Sequence, residues 1–96
     1  MFHEEKISSF PLLVQELDRL DMDAGVRTFG KYNSKKCLVF MTKSFRGFVA
    51  ALYSVRTSGK DILPDKRLLV KEFAGIKELE NFLGEVIEKP VRAFAY

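Results

Sequence analysis

The stretch VRTFGKYNSKKCLVFMTKSFRGFVAALYSVR, residues 26–56, decides the fold of this chain. It is rich in Val, Phe, Tyr and Thr, residues that fit a pleated surface. Two breaks, Asn33-Ser34-Lys35 and Ser44-Phe45-Arg46, divide it into runs 26–32, 36–43 and 47–56. Runs of this kind joined by short turns predict a three-stranded antiparallel meander. Side chains alternate along a strand. Leu38 and Phe40 therefore face one side, and Cys37, Val39 and Met41 the other. In the next run Phe48, Ala50 and Leu52 oppose Val49, Ala51, Tyr53 and Val55. Both sides of the second and third strands are apolar, so the sheet has two faces to cover.

Before the meander, Phe10, Leu13, Val14, Leu17 and Leu20 recur at helical spacing and predict a helix over 8–20. Ser9 is placed to cap it, Pro11 falls in its first turn, and Gly25 reads as its stop. The six residues from Met1 to Lys6 read as a polar, frayed start that includes the single histidine, His3. After the meander, Ser58-Gly59 and Leu63-Pro64-Asp65 are turn signals, so 57–66 reads as a loop with Ile62 and Leu63 tucked against the body. Residues 67–73 read as a fourth strand. Ile76, Leu79, Phe82, Leu83 and Val86 predict a second helix over about 75–88, which Pro90 ends, and 91–96 reads as a last strand.

The order αβββ-loop-βαβ predicts a single α+β domain over 1–96. It is a two-layer sandwich, with two helices on one face of a mainly antiparallel sheet of about five strands. If the last strand lay beside the fourth, the second helix would make a right-handed parallel crossover. Two helices cover one face. The other apolar face, with Phe94 and Tyr96 on the last strand, is left for a protein partner or a second copy of the chain.

Charge is the second informative feature. The net charge of +3 hides a strong asymmetry: residues 24–60 hold eight bases and no acid, flanked by segments of net −4 and −1. The basic stretch coincides with the meander. Lys31, Lys35 and Lys36 flank its first turn, Lys43 and Arg46 its second, Arg27 lies in its first strand, and Arg56 and Lys60 follow its third. Cations framing a sheet in this way suit a phosphate backbone, with Tyr32 and Phe45 as stacking groups for bases. Lysines at strand edges also keep sheets from pairing with other chains, so the pattern has a purely structural reading too.

Other chemistry finds little support. Cys37, the one cysteine, sits among apolar neighbours and reads as a buried structural residue; one thiol leaves no disulfide framework and no multi-cysteine metal site. Ser58-Gly59-Lys60 lacks the spacing of a phosphate loop. The acids Glu16, Asp18, Asp21 and Asp23 lack the glycine-punctuated arrangement of a calcium loop. Arg46-Gly47-Phe48, with Tyr53, partly matches an RNA-recognition consensus, but Phe48 and Tyr53 are five apart and fall on opposite faces. No catalytic residues, cofactor or metal are expected, and no apolar stretch is long enough to span a bilayer. The expectation is a cytoplasmic, non-enzymatic accessory domain that binds nucleic acid through the basic meander. The alternative is a protein-interaction module or homodimer joined through the second sheet face.

Overall fold

The computed structural model describes residues 5–96. Six strands and two helices follow in the order β1 (Glu5–Ile7), α1 (Phe10–Asp18), β2 (Gly25–Tyr32), β3 (Lys35–Ser44), β4 (Gly47–Ser58), β5 (Asp61–Phe73), α2 (Ile76–Val86) and β6 (Ala93–Ala95). All strands form one antiparallel sheet ordered β1-β6-β2-β3-β4-β5. The two-helix α+β sandwich is as the sequence predicts.

Two features refine the expectation and a third corrects it. The sheet's six strands fit the expected number of about five, with Glu5–Ile7 added by pairing with β6. The last strand does not join the fourth. It inserts between β1 and β2, antiparallel to both, so α2 carries the chain from one edge of the sheet toward the other without a parallel crossover. Residues 57–66 are not a loop, because β4 runs to Ser58 and β5 starts at Asp61. Gly59 occupies the first central position of the turn between them at φ +62°, a conformation glycine adopts without steric cost. Pro64 is tolerated because β5 is an edge strand, where a missing N–H need not break a ladder. His3 lies outside the described residues.

The core lies between the helices and one sheet face. Ser9 accepts a hydrogen bond from the Leu12 N–H at 3.4 Å and caps α1, with Pro11 in its first turn. The helix ends at Asp18 with Arg19 as its cap, before Gly25. Gly25 instead opens β2, where the Tyr96 ring occupies the space a side chain would need. Leu13 and Leu17 of α1 and Leu79, Leu83 and Val86 of α2 pack on Val26, Val39, Met41, Ala50, Leu52 and Ala93. Thr28, buried in this layer, donates its hydroxyl to the Arg92 carbonyl at 3.2 Å, tying the approach to β6 onto β2.

The β2–β3 turn is tight. Tyr32 pairs with Lys35, leaving Asn33 at φ 53° and Ser34 at φ 65°, both left-handed, as a type I′ hairpin turn requires. Asparagine accepts this conformation better than serine does. Ser34→Gly is therefore expected to stabilise the fold by roughly 0.5–1 kcal/mol, raising Tm by about 3–6 °C in a thermal unfolding scan. An unchanged or lower Tm would contradict the turn assignment.

Candidate nucleic-acid interface

The site lies on the sheet face that the helices leave uncovered. Alternation puts Arg27, Phe29 and Lys31 of β2 on this face, and the register sets them against Phe40, Leu38 and Lys36 of β3. Tyr53 of β4 stands opposite Leu38, and Phe94 of β6 opposite Arg27. Phe29, Phe40, Tyr53 and Phe94 are each half-buried, so each keeps some ring surface accessible. Phe40 and Tyr53 meet edge to face with centroids 5.5 Å apart.

Cations stand over these rings. The Arg27 guanidinium lies 5.4 Å from the Phe94 centroid, the Lys36 ammonium 4.8 Å from Phe29, and the Arg92 guanidinium 4.5 Å from Phe29. Such contacts hold a charged group near a desolvated surface by its attraction to the ring face. Arg92 also pairs with Glu88 at 3.0 Å. Lys31 and Lys36 sit directly opposite on neighbouring strands, a like-charge arrangement that weakens a sheet. Strands β2, β3 and β4 contain no carboxylate to offset it.

The end of the β4–β5 hairpin folds over part of this face. Register shifts flank Tyr53, where β5 carries residues without a partner on β4. The Ser54 hydroxyl bridges the irregularity, accepting from the Lys66 N–H at 3.0 Å and donating to the Lys66 carbonyl at 3.4 Å. A bulge bends its strand and sharpens the local twist. Beyond it the hairpin forms an arm whose tip reaches residues on β2, β3 and β6. Lys60, Asp61, Ile62 and Leu63 enclose a cleft of about 330 Å³ with Arg27, Thr28, Phe29, Leu38 and Phe94. This cover explains why Leu38 is only 4% exposed although it points away from the helices. Ile62 and Leu63 tuck against the body, as the sequence suggests, but from a strand pair.

The structure divides the basic residues that the sequence groups together. Arg27, Lys31 and Lys36 share the open face, and Arg56 and Lys60 lie on the arm. Lys35 and Tyr32 occupy the β2–β3 turn pair, with Tyr32 packed against the core. Lys43 stands over Phe48, a core residue, on the helix side. Arg46 and Phe45 form the β3–β4 turn at the far end of the sheet, roughly 30 Å from Lys35 at ~3.3 Å per strand residue. Phe45 is 97% exposed, and Arg46 lines a shallow recess with Glu72 and Glu78. Of the two C-terminal aromatics, Phe94 lies in the site. Tyr96 covers Gly25 at the start of β2, two residues from Arg27 and beside Phe94.

Two contributors escape the sequence reading. Phe29 alternates with Arg27 and Lys31, and Arg92 with Phe94, so period-two spacing from known members of the face would have found both. Phe48 lies in the core and Tyr53 on the open face, so the partial RNA-recognition string does not build one surface. Cys37 is buried beneath the helices; burial, and secondly the Glu88 carboxylate, push its thiol above the ordinary range. Among the described residues, no three His, Cys, Asp or Glu side chains converge where a metal ion could sit, and no helix is long and apolar enough to cross a membrane. No protein-family model, curated protein or solved structure matches the chain.

Proposed function

We propose that this domain binds single-stranded nucleic acid across the open face of its sheet, as an accessory domain without catalysis of its own. The observation that carries the reading is the shared placement of Arg27, Lys36 and Arg92 with Phe29 and Phe94 on the one face the helices leave free. Aromatic rings offer stacking surfaces to any base, and the cations follow the backbone. Lys31 extends the basic surface to the edge of the face, and Lys60 extends it onto the arm. Lys43, Arg46 and Phe45, at the other end of the sheet, fall outside this footprint.

Fluorescence anisotropy with labelled single- and double-stranded DNA and RNA tests the reading. Four phosphate contacts, from Arg27, Lys31, Lys36 and Lys60, give an expected log–log salt slope of about −3 on single strands between ~50 and ~200 mM. Absence of binding at ~50 mM would overturn it.

A second reading, a protein partner or a second copy of the chain on the same side of the sheet, is favoured by a different observation. Phe40, Thr42, Val49, Ala51, Tyr53 and Pro64 line an uncharged trough, and on the neighbouring edge strand Leu68 and Val70 are 42% and 46% exposed. A light-scattering mass of twice the 11.0 kDa chain at high micromolar concentration would favour this alternative.

A further inference from the structure

We infer that the cleft beneath the β4–β5 arm is a pocket for one unstacked base of a bound single strand, with the arm as its clamp. The inference rests on the reading above and adds a specific subsite to it. The cleft has an apolar floor of Phe29, Leu38 and Phe94 and an apolar roof of Ile62 and Leu63. Two facing apolar walls suit a flat ring. A duplex keeps its bases stacked inside and offers no such ring without extruding one.

The charges select an anionic ligand. Arg27 comes from the floor and Lys60 from the arm, while Lys36 and Arg92 stand over Phe29, which forms part of the floor. The lining itself holds two cations, Arg27 and Lys60, against one acid, Asp61; beside it Lys36 adds a further positive charge and Arg92 is paired with Glu88. A neutral peptide side chain would use the apolar walls and gain nothing from the positive charge of Arg27 and Lys60. A nucleotide uses both, its base between the walls and its flanking phosphates on Arg27 and Lys60. The Arg27 guanidinium, already over Phe94, adds a planar surface on which a base can stack.

The arm supplies what a flat sheet lacks. Ile62 and Leu63 belong to β5, the far edge of the sheet from Phe94 on β6 with β2, β3 and β4 between them, and only the folded-back hairpin brings them together. Most of the arm tip is exposed, and nothing lies within 4 Å of where a Gly59 side chain would start. The Ile62 and Leu63 side chains can therefore be shortened without opening the core between sheet and helices.

The test compares two strands of equal length and equal phosphate number, an oligothymidylate and the same strand with abasic residues throughout. The unchanged protein is expected to bind the base-bearing strand at least fivefold more tightly, with the same salt slope, because stacking rather than charge is lost. The double variant Ile62→Ala, Leu63→Ala is expected to lose most of that preference and keep the slope. Equal affinity of the unchanged protein for both strands would overturn the base pocket while leaving phosphate binding by the open face intact. Failure of both strands to bind at ~50 mM salt would overturn both proposals. A preference that survives in the double variant would assign base stacking to the open sheet and remove the arm from the role.

Discussion

Gly47→Ala is expected to destabilise the domain by about 3 kcal/mol or more, a large share of the roughly 5–14 kcal/mol available to a chain of this size. Gly47 opens β4 at φ +149°, outside the range that residues with a side chain adopt readily. A Cβ there would collide with the Phe73 carbonyl oxygen and stand 2.9 Å from that of Ala74. Both obstacles are backbone, at the end of β5 and the entry to α2, so neither can rotate away. Phe73 is also buried in the core and packs on Phe82 of α2 at 5.1 Å, so relief by moving β5 would loosen that corner. The internal comparison is Gly84→Ala. Gly84 lies on the exposed side of α2 with nothing within 4 Å of its would-be side chain, and alanine there is expected to stabilise by about 0.5–1 kcal/mol. Urea unfolding should show the two substitutions moving the midpoint in opposite directions. A midpoint for Gly47→Ala close to that of the unchanged protein would mean that the β3–β4 turn and the β5–α2 junction do not meet as described.

The contrast between 26–56 and its surroundings shows what kind of information the sequence carries. Alternation within Lys36–Met41 and Phe48–Val55 identifies both faces of β3 and β4 correctly, because burial acts on each side chain locally. The same logic places Ala93 inward and Phe94 outward. It does not say which strand β6 joins. That depends on α2 crossing the sheet and on Thr28 reaching the Arg92 carbonyl, neither of which leaves a local pattern. Glu5–Ile7 is too short for a period to register. The stretch 57–66 misleads for a specific reason. Gly59, Pro64 and Asp65 are all strand breakers in isolation, yet the first makes the turn, the edge position accommodates the second, and β5 runs through Pro64 and Asp65 to Phe73. The candidate site suffers from the same limit. The basic composition of 24–60 is plain, but whether its charges form one surface depends on which face each reaches, and on an arm that only the bulge at Tyr53 and Ser54 aims at Phe94.

Lys31→Glu should separate function from stability. Lys31 faces Lys36 across the β2–β3 pair, and the same strands hold no acid. Reversing one charge converts a repulsive cross-strand pair into an attractive one, so the variant should be unfolded by urea no more easily than the parent. Its gain is expected to be a few tenths of a kcal/mol, because both side chains reach water and solvent screens the pair. Nucleic-acid binding should move the other way. One phosphate contact is lost, which lowers the steepness of the single-strand salt dependence by about 0.7. The new carboxylate also repels the strand within a Debye length of about 10 Å at 0.1 M salt. Together these are expected to weaken binding about tenfold near 50 mM salt, with the difference shrinking as salt rises. A domain selected only for stability would have no reason to keep two lysines face to face on an acid-free surface; one that meets a polyanion does. Weaker binding in a protein of equal or greater stability would therefore tie Lys31 and Lys36 to the ligand. Unchanged affinity would remove Lys31 from the interface and leave the cross-strand pair as a means of keeping the sheet from associating with other chains.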